Sequence, residues 1–219
     1  MNVLFVGNSY TYYNDMPLIF KKLADDNNRS MTVHSVTKGG RRLESFTDKS
    51  DDITVKLQDI VSKEKFDVCF IQEQSVLPAA DFDRFINGLS CVVDMVKDKA
   101  DQIVLYATWG RKSGSETLTE HNWTTESMTK LLSDAYCKAS EQFGAKVSPV
   151  GENFLKIEKT NPEINLHDED LSHPSYKGSC LAALTHYYTV FGEFPKKIQS
   201  LDISADELSA FQKVVGNLL

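Results

Sequence analysis

The first ten residues, MNVLFVGNSY, set an unbroken apolar run, Val3-Leu4-Phe5-Val6, directly against Gly7, Asn8 and Ser9. A β-branched and aromatic run that stops at a glycine reads as a buried strand entering a tight turn. Four more such runs follow: MTVHSV at 31–36, FDVCFI at 66–71, QIVLYA at 102–107 and KVSPV at 146–150. They are continuous rather than alternating, so burial on both faces is expected, as in a parallel sheet covered by helices on each side. Between them the spacing turns helical. Ala79 to Lys97 carries Phe82, Phe85, Leu89, Val92, Val93 and Val96 on one stripe. Met128, Leu131, Leu132, Ala135, Tyr136 and Ala139 form another within Thr117 to Phe143, although the stretch GSETLTEHNWT at 114–124 reads as a loop. Asn14 or Asp15 is expected to cap a helix with Pro17 in its first turn, and Ser204-Ala205-Asp206-Glu207 is a capping box opening the last one. Strand and helix alternate with no repeat or linker. This predicts one three-layer α/β/α domain over residues 1–219, built on a five-stranded parallel sheet.

The composition excludes partners more than it names any. The 219 residues carry 24 basic and 31 acidic side chains, a net charge of −7, and no Lys/Arg stripe interleaved with aromatics, so nucleic-acid binding lacks its electrostatic footprint. With 41% apolar residues a full core is affordable without disulfides or metal. No apolar run approaches the roughly 20 residues of a membrane-spanning helix. The N-terminus has no basic segment leading into a long apolar stretch, so it is not a secretory signal and a cytoplasmic location is expected. Cys69, Cys91, Cys137 and Cys180 are scattered without C-x-x-C spacing, as reduced thiols are, and three of them are expected to face the core.

In open parallel sheets ligands bind at the carboxyl ends of the strands, so the residues following each run are the candidates. These are Gly7-Asn8-Ser9-Tyr10-Thr11, Lys38-Gly39-Gly40-Arg41, Gln72-Glu73-Gln74-Ser75 and Thr108-Trp109-Gly110-Arg111. A polar segment, Asp170-Leu171-Ser172-His173-Pro174-Ser175, leads into a helix starting near Tyr176. Acyl transfer needs a hydroxyl on a tight turn, a His within reach, a carboxylate fixing the His tautomer, and donors aimed at the developing oxyanion. Ser9 fits the first role. Asp170 and His173, three apart on a turn, can pair through Nδ1 and leave Nε2 for Ser9. Gly40 has no Cβ to block approach to its N–H. Taken singly, Ser9 reads as a helix cap and Gly39-Gly40 as a plain turn. His167, Asp168, Asp170 and His173 carry metal-type donors, but no distal ligand motif accompanies them and no metal is expected. His34 and His186, within a strand and a helix, read as structural.

The blocks resemble those of the SGNH/GDSL-type hydrolases, flavodoxin-like esterases, lipases and carbohydrate deacetylases whose active site is spread over short sequence stretches. The resemblance runs from VLFVGNSYT to DLSHPSYKGS, ending at residue 179. It implies that Ser9 is nucleophile and first oxyanion donor, Gly40 or Gly39 the second donor, and Asp170 and His173 the rest of a triad. Two departures stand out. The family's usual Gly-Asp-Ser is Gly7-Asn8-Ser9, and its Gly-x-Asn-Asp third block is replaced by FIQEQS at 70–75. Aligning the strand ends puts Gln72 at the Gly and Gln74 at the Asn, so Gln74, one methylene longer, is expected to be the third oxyanion donor. Gln72, Trp109 and Arg111 are expected on the pocket wall, and the segment with His121 and Trp123 as a lid. The resemblance implies a serine esterase without cofactor, acting on short acyl esters of a small molecule or carbohydrate, acetyl foremost. The rival readings are a flavodoxin-like module holding a phosphate on the Gly7–Thr11 turn and a non-catalytic carbohydrate-binding relative. The acidic run HDED at 167–170 disfavours anionic substrates unless Arg41 or Arg111 compensates.

Overall fold

The computed structural model describes residues 1–216. Five strands, β1 (Asn2–Gly7), β2 (Thr32–Thr37), β3 (Phe66–Ile71), β4 (Ala100–Tyr106) and β5 (Lys146–Ser148), form one parallel sheet in the order β2-β1-β3-β4-β5. The helices, in chain order, are α1 (Ser9–Tyr12), α2 (Met16–Asp26), α3 (Asp52–Lys63), α4 (Leu77–Ala80), α5 (Phe82–Val96), α6 (Glu116–Glu120), α7 (Thr125–Phe143), α8 (Val150–Thr160), α9 (Tyr176–Phe191) and α10 (Ala205–Val215). They cover both faces of the sheet, giving the three-layer α/β/α arrangement of the flavodoxin-like folds.

The period-2 geometry of the strands sorts the core into two halves. Val3 and Phe5 of β1 join Val68, Phe70, Val104 and Tyr106 against α2, α8, α9 and α10. Leu4 and Val6 join Cys69, Ile71 and Leu105 against α3, α5 and α7. Phe5 stacks on Phe70 at 4.6 Å, with Phe20 of α2 edge-on to both. α9 is buried continuously from Gly178 to Tyr187, as a helix enclosed on all sides must be. Among the described residues, no helix is long and apolar enough to cross a membrane.

Several local expectations are corrected. β2 lies at the sheet edge, and only Val36 of its six residues is buried, so the strand is not covered on both faces. β5 stops at Ser148 because Pro149 has no N–H for the ladder and stands at the N-terminus of α8. The stretch 114–124 is not all loop: α6 lies within it, and its Leu118 packs on Met128 and Leu132. Asp15 stands at the N-cap of α2 but in left-handed backbone, φ 54°, and makes no side-chain capping bond. Ser204 and Glu207 do form a reciprocal capping box. Three cysteines face the core as expected: Cys69 and Cys180 are fully buried and Cys91 packs half-buried against the α3, α5 and α7 side, while Cys137 is exposed.

The topology carries a stability prediction. Phe5→Ala removes a fully buried ring from the middle of the sheet and is expected to cost about 3–5 kcal/mol, read as a lower urea midpoint with an unchanged m-value.

Candidate active site

The sheet order reverses direction between β1 and β3, so the loops leaving these strands part company and open a crevice at their carboxyl ends. Ser9 sits at that point. Asn8, in extended backbone, is the residue that caps the single turn α1: its Oδ1 accepts from Tyr10 N at 3.1 Å, and its carbonyl accepts from Thr11 N at 2.9 Å and Tyr12 N at 3.3 Å. The first-turn N–H groups beyond Ser9 are thereby taken, leaving that of Ser9, at the first helical position, without an intrahelical partner. Gly7 is required by close approach, since a Cβ there would lie 2.5 Å from Thr11 Oγ1 and 2.7 Å from Gln72 Oε1.

His173 reaches this turn from the loop before α9. Its Nε2 lies 2.8 Å from Ser9 Oγ and its Nδ1 2.5 Å from Asp170 Oδ2. A carboxylate only accepts, so Nδ1 carries the proton and Nε2 is left to receive one from Ser9. The other Asp170 oxygen accepts from Ser172 N at 3.0 Å and His173 N at 2.8 Å. Partial desolvation pushes the Asp170 pKa up, but His173 and these two N–H groups outweigh it and hold the carboxyl below its ordinary value. Leu171, between the two, takes left-handed backbone with φ 59°, which is strained for a branched side chain. Two bonds hold it there: Lys112 N donates to Leu171 O at 2.9 Å, and Trp109 Nε1 to Ser172 O at 3.0 Å. The imidazole stacks on Tyr13 at 4.2 Å and meets Tyr10 edge-on at 5.5 Å.

Ser9, Asp170 and His173 share a pocket of about 270 Å³ with Gly40, Gln74 and Arg111. Gly40 has φ +66°, and open space lies where a Cβ would be, whereas a Cβ on Gly39 would meet Tyr12 Oη at 3.1 Å. The Gln74 oxygen accepts from Val76 N at 2.9 Å and Leu77 N at 3.0 Å, where the chain enters α4. With that oxygen committed, the amide nitrogen is the pole left over, its nearest partner being Ser75 Oγ at 3.4 Å. Arg111 donates to Ser75 Oγ at 2.9 Å and lies over the Tyr10 ring.

Two residues expected on the wall are elsewhere. Gln72 is buried beneath the turn, where its Oε1 accepts from Asn8 N at 3.0 Å and Thr11 Oγ1 at 2.9 Å. Trp109 is 1% exposed, sandwiched between Tyr10 at 4.6 Å and Phe154 at 4.2 Å, so its contribution is to hold the Asp170–His173 loop through its indole N–H. Arg41 is also withdrawn, paired with Asp51 at 2.7 Å and lying on the Phe46 ring. His167 turns into the core against Phe154, its Nε2 3.2 Å from Gly110 O. Among the described residues, no group of three or more His, Cys, Asp or Glu is placed to hold a metal ion. His34 lies on β2 near Glu64, and His186 is buried in α9, its Nδ1 2.7 Å from Ser148 Oγ and its pKa pushed down to about 3 by desolvation.

Three residues at the site lie outside the functional expectations. Tyr13, which stacks on the His173 ring, carries no expected role, and Asn14 is expected only as a helix cap. Asn14 instead donates to Pro174 O at 3.0 Å and Ser179 Oγ at 2.9 Å, fastening the His173 loop to the Ser9 segment. In the sequence Glu73 reads only as a member of the third block. It is fully buried and accepts from Leu43 N at 3.0 and 3.2 Å and from Gln74 N at 2.5 Å. A charged residue beside two glutamines at a strand end was the available signal.

Among solved structures the chain is similar to a Slackia heliotrinireducens protein assigned to the SGNH hydrolases, at 27% identity and a TM-score of 0.76, covering 87% of this chain and 98% of that one. A DUF4886 family protein from Bacteroides uniformis matches with a TM-score of 0.84 at 17% identity, over 99% of this chain and 93% of that one. The acetyl xylan esterase AlAXEase matches with a TM-score of 0.67 at 16% identity, over 87% and 100% respectively. At identities this low, the last two likenesses are likenesses of fold. Comparison with family models and with curated proteins gives no match.

Glu73 gives the site a pH signature. Desolvation, opposed by the Gln74 and Leu43 N–H groups, raises its pKa from an ordinary 4.5 to about 7. Between those values the folded chain keeps a proton that the unfolded chain has lost, so this residue makes stability fall as pH rises from about 4.5 to about 7. Urea midpoints measured across that range are expected to decline more steeply in the wild type than in Glu73→Gln.

Proposed function

The chain belongs to the SGNH/GDSL hydrolase superfamily, and from that premise we propose that it is a serine esterase cleaving short acyl esters, acetyl foremost, through Ser9, His173 and Asp170. The observation that carries this reading is the unbroken hydrogen-bonded chain from Ser9 Oγ through His173 to Asp170, opening on one pocket with Gly40 and Gln74.

The chemistry follows from the protonation pattern. Ser9 Oγ attacks the ester carbonyl as its proton passes to His173 Nε2, and Asp170, kept ionised, stabilises the imidazolium. Charge that builds on the carbonyl oxygen is met by the Ser9 and Gly40 N–H groups and the Gln74 amide. Collapse of the tetrahedral intermediate expels the alcohol, which takes the proton from His173. Water then repeats the sequence on the acyl-enzyme and frees the acid.

Pocket size favours a small acyl group, because about 270 Å³ lies just below the roughly 300–1,000 Å³ of typical small-molecule sites. Room for a bulkier alcohol lies alongside. Arg111 and Asp170 also line a hollow of about 310 Å³, and Gly114 and Ser115 carry this into a groove of about 710 Å³ beside Trp123. Two esterases among the structural neighbours are described as acting on acetylated xylan or xylooligosaccharide, which supports a carbohydrate alcohol here. Glu116 and Glu169 on the hollow, with Arg111 the only cation lining it among the described residues, favour a neutral sugar. The phosphate-binding alternative is disfavoured because Asn8 already takes the first-turn N–H groups of Tyr10, Thr11 and Tyr12.

Release of p-nitrophenol from its acetate ester tests the reading. The wild type is expected to hydrolyse it well above the rate of Ser9→Ala, with acetate preferred over octanoate. Equal rates in the two proteins sink the proposal. Gln74→Ala is expected to lose about 10²–10³-fold, mostly in kcat, as removal of one oxyanion donor does elsewhere.

A further inference from the structure

Two of the three oxyanion donors proposed above, Gly40 and Gln74, come from loops that follow β2 and β3, strands separated in the sheet by β1. Neither loop is a neighbour of the other by strand pairing, yet donors must hold their spacing closely to act on one oxygen. Three links close the gap. Asn8 Nδ2 donates to Arg41 O at 2.9 Å, joining the Ser9 turn to the β2 loop. Gln72 Oε1 accepts from Asn8 N at 3.0 Å, joining the Ser9 turn to the β3 loop. The third side is Glu73, whose carboxylate accepts from Gln74 N on its own loop and from Leu43 N, three residues beyond Gly40, on the other.

We infer that Glu73 is a positioning residue for the esterase reaction, clamping the Gly40 and Gln74 loops at a fixed spacing across the end of β1. The inference rests on the serine-esterase reading. The burial of Glu73 otherwise has no explanation. It is 0% exposed, and among the described residues no cation is hydrogen-bonded to it: Arg41 is paired with Asp51, while Arg42 and Arg84 are paired with Glu44. An ionised carboxylate in such a position costs stability unless its hydrogen bonds are needed. It offers two acceptor oxygens to N–H groups on separate loops, and charge-assisted bonds of this kind are roughly twice as strong as neutral ones. The clamp also accounts together for both departures from the family's usual blocks. Position 8 must donate to Arg41 O, which Asn does and an ionised Asp does not, and the third block carries the acid that reaches Leu43.

Glu73→Gln keeps the shape but replaces one acceptor oxygen with an NH₂ group that opposes Leu43 N–H. Assayed at pH 8 on p-nitrophenyl acetate, it is expected to lose about tenfold or more in kcat with KM within about twofold, the pattern of an interaction felt mainly in the transition state. Paired with Gln74→Ala, it is expected to cost less than the product of the two single losses, because the two act on the same donor. Asn8→Asp opens the same clamp from its opposite side and is expected to show the same kcat-selective loss, and it stands in for Glu73→Gln should that protein fail to fold. Full kcat in both Glu73→Gln and Asn8→Asp, or a double variant whose loss is fully multiplicative, overturns the inference. Inactive wild-type protein instead overturns the esterase reading on which it rests.

Discussion

The hydrogen bond from Ser9 Oγ to His173 Nε2, 2.8 Å long, joins residues 164 apart in the chain, and much of the fold holds its two ends still. Ser9 is fixed from the strand side. β1 is covered on both faces, and Gly7 lets Thr11 and Gln72 close in beneath the turn. His173 is fixed from the helix side, where α9 is buried along most of its length and Ser175 caps its first turn. Asn14 then ties the two sides directly, from the segment after Ser9 to Pro174 and Ser179.

Aromatic rings take much of the remaining load. Tyr10, Trp109 and Phe154 form a three-ring stack whose planes differ by only 4–5°, and Trp109 spends its one polar group on Ser172 O. Rigid rings with few rotatable bonds hold a loop at little entropic cost. That support matters because Leu171 sits in left-handed backbone, a conformation that persists only when its surroundings over-determine it. The strain turns the Asp170 carboxylate back onto both the backbone and the ring of His173. Geometry and electrostatics therefore agree: the same two residues are brought together by a strained turn and kept together by a carboxylate that stays ionised.

Much of the fold was legible in the sequence because burial on both faces of a parallel strand leaves an unbroken apolar run, and the interior strands obey that rule. The edge strand β2 departs from it, since MTVHSV is apolar enough to suggest full cover while only one neighbouring strand and part of one face enclose it. Ser9, Asp170 and His173 were legible for another reason. Each lies at a punctuation point, a glycine turn or the loop ahead of a Ser-capped helix, where a polar side chain has few structural duties. Trp109 and Gln72 misled because sequence does not reveal direction. Both follow strand ends, yet one turns into an aromatic stack and the other beneath the turn it supports. Tyr13, Asn14 and Glu73 stayed hidden because their partners come from distant segments, and only the three-dimensional arrangement identifies them.

The central claim is that Ser9 is the nucleophile and that His173 activates it. Labelling with a fluorophosphonate probe, followed by intact-mass analysis and peptide mapping, tests it most directly. The account predicts a single adduct on the peptide containing Ser9 in the wild type, and labelling largely lost in His173→Ala. An adduct on another residue, or labelling of Ser9 that is indifferent to the loss of His173, would contradict it.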